Sequence, residues 1–202
     1  MTIRLLLADD QELVRDALRA LLHLQADFEV VAAVGRGDDV VSAALQHQPD
    51  VALLDIEMPG LDGLAAAAVL AAQVPDCRVV ILTTFGRAGY LRRAMEAGAV
   101  GFVVKDAPAE ALADAIRRVM RGEHVIDPAL AVATLAAGES PLTARERDVL
   151  IASRASGTVA EIAAKLYLSD GTVRNYLSAA MTKCSARNRG EALRIADERG
   201  WL

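Results

Sequence analysis

The chain has 202 residues, 53% of them hydrophobic, 24% charged and only 3% aromatic, with a formal net charge of −5. That profile fits one large or two small globular domains with aliphatic cores. It argues against a membrane-spanning helix, because no apolar run approaches the ~20 residues a bilayer requires. The opening MTIRLLLADD reaches acid too soon for a signal peptide. Cys77 and Cys184 stand far apart and outside any CxxC, so they read as small buried hydrophobes in a reducing compartment. The expected location is the cytoplasm. The charge is split: residues 140–202 carry 10 Lys and Arg against 7 Asp and Glu, net +3, while residues 1–139 are net −8. An acidic front and a mildly basic back point to two modules with different partners.

In chain order, short apolar runs recur at IRLLLA (3–8), FEVVAAV (28–34), VALL (51–54), RVVILTT (78–84) and VGFVVK (100–105). They are continuous rather than alternating, as strands buried on both faces should be. Amphipathic stretches of helical length lie between and after them, at 11–25, 37–47, 62–73, 87–97 and 108–121. Alternating strand and helix predict an α/β domain over residues 1–121, a doubly wound, five-stranded parallel sheet with helices on both faces. Gly98 and Gly101 flank the turn into the fifth strand, and Pro108 is expected in the first turn of the last helix.

From 122 the rhythm changes. GEHVIDPALAVATLAAGESP is rich in small residues, Gly and Pro, with weak helical content around 128–136 and no strand signal, so residues 122–140 read as a linker. Residues 141–202 then show only helical pattern. TARE (143–146) and TVAE (158–161) are capping boxes, NRGE (188–191) has the same spacing, and SDGT (169–172) gives a fourth helix start. Four short helices are expected, with no internal repeat.

Ligands of doubly wound sheets bind at the carboxyl ends of the strands. There the sequence places Asp9 and Asp10 after the first strand and Asp55 after the third. Thr83, with Thr84, follows the fourth, and Lys105 follows the fifth. Three carboxylates brought together repel unless a cation compensates them. A hard divalent ion such as Mg2+ accepts such oxygens and keeps waters that a phosphate can replace. With the Lys105 ammonium and the Thr83 hydroxyl, the set suits the handling of a phosphoryl group. After Asp55, Met58-Pro59-Gly60 should turn the chain sharply away, Pro fixing φ and Gly allowing what other residues cannot.

ADD (8–10), LLDIEMPGLDG (53–63), ILTT (81–84) and VVKD (103–106) resemble the receiver domain of bacterial response regulators, a flavodoxin-like fold, over residues 3–121. The resemblance implies that Asp55 accepts a phosphoryl group from a sensor histidine kinase. It also implies that Asp10, Asp55 and the main-chain carbonyl of Glu57 hold Mg2+, with Asp9 acting through water. Thr83 would bond the phosphoryl oxygen and Lys105 would pair with it. The residue that fills the space vacated by the switching hydroxyl would be Phe102, which has no hydroxyl of its own and must switch by packing.

In LSDGTVRNYLSAAMTKC (168–184), Val173, Leu177, Ala180, Met181 and Cys184 form one apolar stripe, and Arg174, Asn175, Ser178 and Thr182 lie opposite. TVAEIAAKLYL precedes it by a tight turn, so the pair reads as a helix-turn-helix or, on pattern alone, an ordinary helical hairpin. PLTARERDVL, EIAAKLYLSDGTVRNYLS and the NR at 188–189 resemble the LuxR-type helix-turn-helix of NarL/FixJ regulators over 141–202. That match implies that Thr172, Arg174, Asn175 and Ser178 face double-stranded DNA, that Lys183 lies near its backbone, and that the helix 189–199, with Leu193 and Ala196, pairs protomers. Arg174 could meet guanine or phosphate, and Asn175 adenine. Ser178 stands where many members carry a basic residue, which lowers the expected backbone affinity. ILTTFGRAGYLRRAMEAG, GTVRNYLS and the terminal GWL are most similar to the DesR-type subgroup, whose best-known members answer membrane fluidity and control lipid desaturation.

The expectation is a phosphorylation-activated transcriptional regulator, not an enzyme, that dimerises on phosphorylation without inserting into a membrane. Two alternatives stand beside it. One is a regulator that binds DNA without phosphate. The other is an aspartyl-phosphate phosphatase of the haloacid dehalogenase type, which would need an Asp where Glu57 stands and would leave 141–202 without a role.

Overall fold

The continuous aliphatic runs become strands and the amphipathic stretches pack on them. The computed structural model describes residues 2–83, 88–137, 140–154 and 157–202. Strands β1 (Ile3–Ala8), β2 (Phe28–Val34), β3 (Val51–Asp55), β4 (Arg78–Thr83) and β5 (Gly101–Val104) alternate with helices α1 (Glu12–His23), α2 (Gly37–His47), α3 (Gly63–Gln73), α4 (Ala88–Glu96) and α5 (Ala109–Met120). All pairings are parallel, in the order β2-β1-β3-β4-β5, and a further short strand, β6 (Val125–Ile126), pairs with β5. The sheet therefore has six strands among the described residues, one more than expected. β6 falls inside the stretch read as a linker. It is two residues long, with Val125 N–H donating to the Val100 carbonyl at 2.9 Å and Phe102 opposite Ile126. Its identity comes from pairing rather than from its own composition, so no periodicity could reveal it. Helix α6 (Pro128–Ala137) follows where weak helical content was expected. Pro108 proves to be the residue capping α5 rather than a member of its first turn.

β3 is buried along its whole length between β1 and β4, which is why its sequence is VALL with no polar alternation. Leu5, Leu7, Leu53, Val80 and Leu82 pack against Leu112, Ile116 and Val119 of α5 on one side of the sheet. The loop after β3 folds back tightly. Gly60 takes φ +81°, and a Cβ there would lie 1.9 Å from Asp38 Oδ2, so this position demands glycine. Asp62 then caps α3 by accepting from the Ala65 amide at 2.7 Å.

The chain divides into two compact units that part near residue 131. The second contains α7 (Ala144–Ala152), α8 (Val159–Leu166), α9 (Asp170–Lys183) and α10 (Arg189–Glu198). The capping boxes at Thr143–Glu146 and Thr158–Glu161 are complete. At 188–191 only half the device forms. Asn188 accepts from the Glu191 amide, but the Glu191 carboxylate turns to the Arg187 N–H instead of the cap residue's own. Leu142, Leu150, Ile162, Val173, Leu177, Ala180, Cys184 and Trp201 share one core. Tyr167, Leu168 and Ser169 make the three-residue turn between α8 and α9. Thr84 and residues 85–87, 138–139 and 155–156 lie outside the described residues. No helix of the described residues is long and apolar enough to cross a membrane.

Candidate functional site

The parallel sheet carries its polar residues at one edge. Asp9 follows β1, Asp55 ends β3, Thr83 ends β4 and Lys105 follows β5. Asp9, Asp55 and Thr83 are each no more than 5% exposed. Lys105 reaches across the strand ends, with Nζ 2.7 Å from Asp9 Oδ2 and 3.0 Å from Asp55 Oδ1. Its own amide donates to the Thr83 carbonyl at 2.7 Å, which fixes the fifth strand's exit beside the fourth. Asp55 Oδ1 also accepts the Ile56 amide at 2.9 Å. Asp9 Oδ1 accepts the Gln11 amide at 3.0 Å, and Arg15 donates to the Asp9 carbonyl at 2.7 Å. Sequence pattern did not single out Arg15; its place on the first helix turn after Asp9 was the available signal.

Carboxylate oxygens of Asp9, Asp10 and Asp55 all lie within 4.8 Å of one another. Burial pushes the Asp55 carboxyl above the ordinary aspartate range; Lys105 pulls it down and the neighbouring Asp9 charge raises it again. Asp9 Oδ2 and Lys105 Nζ are buried and meet as an ion pair without a well-angled hydrogen bond, so each keeps capacity for another partner. One ammonium cannot neutralise three carboxylates. The donor set is all oxygen and Asp10 stands exposed at the mouth, which fits a hard divalent cation such as Mg2+. Glu57 is exposed and sends no carboxylate into this cluster; the main-chain carbonyl was the atom expected to serve. Phe102 is 1% exposed and sits in β5 two residues before Val104, the residue paired with Thr83.

In the second unit, Arg174, Asn175, Ser178 and Thr182 lie on the exposed face of α9, opposite the buried Val173, Leu177, Ala180 and Cys184. Thr172 is engaged in the helix cap, its hydroxyl 2.8 Å from that of Ser169. Arg174 is within 3.8 Å of Asp170 one turn earlier, both well exposed, a contact worth little. Lys183 is placed differently from Thr172, Arg174, Asn175 and Ser178: its ammonium pairs with Glu146 of α7 at 2.7 Å. Ala196 is fully buried in this unit's own core. Its own core encloses it, so it is not available to a partner, whereas Leu193 of the same helix is only half-buried.

An acidic pocket at the carboxyl edge of a flavodoxin-like sheet, with a helix-turn-helix unit after it, is the plan of a two-component response regulator. Residues 5–117 match the response regulator receiver domain and residues 140–196 match the bacterial regulatory proteins of the luxR family. The chain belongs to the NarL/LuxR-type response regulators, transcriptional regulators with a receiver and a LuxR-type DNA-binding domain. It is 43% identical over 200 residues to the transcriptional regulatory protein DesR of Bacillus subtilis (strain 168), covering 99% of each chain. It is also 43% identical over 200 residues to the uncharacterized transcriptional regulatory protein YvfU of the same strain, covering 99% of this chain and 100% of that one. The equal likeness means that identity alone does not favour DesR. Among solved structures, the response regulator ChrA of a heme-sensing two-component system is similar at 33% identity and a TM-score of 0.59, covering 100% of this chain and 99% of that one.

Proposed function

We propose that the chain is a phosphorylation-gated transcription factor of the cytoplasm in which Asp55 takes a phosphoryl group from a sensor histidine kinase. The observation that carries the reading is the buried Lys105 ammonium held between Asp9 and Asp55 at the sheet's carboxyl edge. Residues 1–121 act as the receiver, 122–140 as the connecting segment and 141–202 as the DNA-binding module.

The Ile56 amide and Lys105 hold Asp55 Oδ1, so the carboxylate is fixed at the end of a rigid strand. Its other oxygen attacks phosphorus: a P–O bond forms as the donor's P–N bond breaks, and the histidine ring leaves with the electron pair and takes up a proton. Lys105 offsets the charge on the transferring group. Mg2+, held by Asp10, Asp55 and the Glu57 main-chain carbonyl with Asp9 acting through water, would supply the remaining charge neutralisation. The acyl phosphate carries nearly two negative charges where Asp55 carried one. Thr83 is drawn towards it, and the packing of Phe102 follows. Two protomers then pair, and their α9 helices meet half-sites about one helical turn apart on the duplex. Thr172, Arg174, Asn175 and Ser178 supply the contacts, with Asn175 suited to adenine. A module of only +3 gains much from pairing, since phosphate contacts double.

The test is DNA affinity before and after treatment with a small-molecule phosphodonor and Mg2+, for the wild type and for Asp55→Asn. A gain seen only in the wild type supports the reading. An affinity unchanged by phosphodonor would show a regulator that works without phosphate.

A further inference from the structure

Glu146 is a charged residue 5% exposed inside α7, and its Oε2 accepts twice: from the Thr143 amide at 2.7 Å and from Lys183 Nζ at 2.7 Å. A buried carboxylate is stable only when paired and hydrogen-bonded, and both needs are met here. Burial pushes this carboxyl up, but the bonds from Lys183 and Thr143 outweigh it, and it lies below the ordinary glutamate range. Lys183 is the last residue of α9, and its ammonium is held by this carboxylate. Along α9, Val173, Leu177 and Ala180 pack into the core, so the ion pair adds a polar stop to an apolar seam that could otherwise slide.

We propose that Lys183 does not contact DNA phosphate but, neutralised by Glu146, acts with it as a positioning pair that fixes the axial setting of α9 in the groove. The inference rests on the reading of α9 as the DNA-facing helix, and it removes Lys183 from the contact set that family resemblance suggested. Arg174 and the helix face around it are left to carry the charge. The chemical logic is exclusive: an ammonium already paired with a carboxylate brings no net positive charge to the duplex. It therefore releases no counterion when DNA binds.

Counterion release gives a readout that a merely structural role would not move. Each phosphate contact contributes about 0.9 to the slope of log affinity against log salt, or about a 3.5-fold change in affinity between 50 and 200 mM. The full-length protein is titrated on a mixed-sequence duplex over that salt range, with helix content followed by circular dichroism. Lys183→Met is expected to weaken binding with the slope unchanged. Glu146→Gln frees the ammonium and steepens the slope by about 0.9 per protomer, and adding Lys183→Met to it restores the wild-type slope. Arg174→Met, the positive control, flattens the slope. A slope flattened by Lys183→Met as much as by Arg174→Met would overturn the proposal, as would an unchanged slope in a folded Glu146→Gln. Should Glu146→Gln fail to fold, the slope of Lys183→Met decides alone. Absence of any DNA binding by the wild type would overturn the DNA-facing reading of α9, and this inference with it.

Discussion

Replacing Lys105 by Met removes a buried cation from the pocket, the one that pairs with Asp9 and Asp55 among the described residues, while keeping much of the side chain's volume. Its ammonium lies 2.7 Å from Asp9 and 3.0 Å from Asp55, with 8% of the side chain exposed. At an effective dielectric of ~20, each contact carries about 6 kcal/mol of gross Coulomb attraction. Desolvation of the ammonium opposes that gain, and removing one partner of a buried pair costs ~3–5 kcal/mol. The exposed Asp10 keeps the pocket open to water, so the lower figure applies, about 3 kcal/mol at neutral pH in chelator. The pH dependence follows from the direction of the Asp55 shift. Burial already raises this carboxyl, Lys105 opposes the rise and Asp9 adds to it, so loss of Lys105 raises it further. An acid raised in the folded state keeps its stability below its unfolded value and loses it as pH rises through the folded value. The deficit should therefore be small near pH 4 and full at pH 7.5. Millimolar Mg2+ should recover part of it, because a cation bound only by the folded state stabilises it. Trp201, the single tryptophan, sits in the second unit, so the assay is hydrogen exchange of the β1 and β3 amides. Exchange of those amides in Lys105→Met should accelerate about 100-fold at pH 7.5 in chelator. Wild-type protection in the variant, or a deficit independent of pH and Mg2+, would refute the reasoning.

Thr158→Ala removes a complete capping box from α8; about 1 kcal/mol of stability should be lost, read from the Trp201 fluorescence melt. Phe102→Leu replaces a fully buried ring by a smaller side chain and should leave phosphorylation at Asp55 intact while shrinking the phosphate-dependent gain in DNA affinity. Equal gains in variant and wild type would remove Phe102 from the switch. Asn175→Ala should lose ~1–3 kcal/mol of discrimination at one adenine and keep most nonspecific affinity, as measured by competition with single-substituted duplexes.

Strands β1 to β5 were legible because each is a short, largely aliphatic run; burial on both faces holds for β3, whereas β2, at the sheet edge, is mostly half-buried and exposes Glu29. The acidic pocket was legible because parallel topology carries Asp9, Asp55, Thr83 and Lys105 to one edge whatever the details of packing. The helix starts of the second unit were written in Thr143, Thr158 and Ser169, whose caps act within three residues. What escaped depends on distant partners. Val125 and Ile126 are a strand only because Gly101 and Phe102 lie alongside. Glu146 and Lys183 are 37 residues apart, and neither type of residue announces the pair. An apolar stripe does not say what covers it, so Ala196 read as a dimer residue although its own core encloses it.

The central claim is that Asp55 accepts a phosphoryl group and that this changes the chain's association. The most direct measurement is intact mass after incubation with Mg2+ and a small-molecule phosphodonor, beside Asp55→Asn, with size-exclusion chromatography of the same samples. The account predicts one added phosphoryl group in the wild type, none in the variant, and a shift to dimer only where the group is present. A phosphoryl group retained in Asp55→Asn, or no addition and no shift in the wild type, would contradict it.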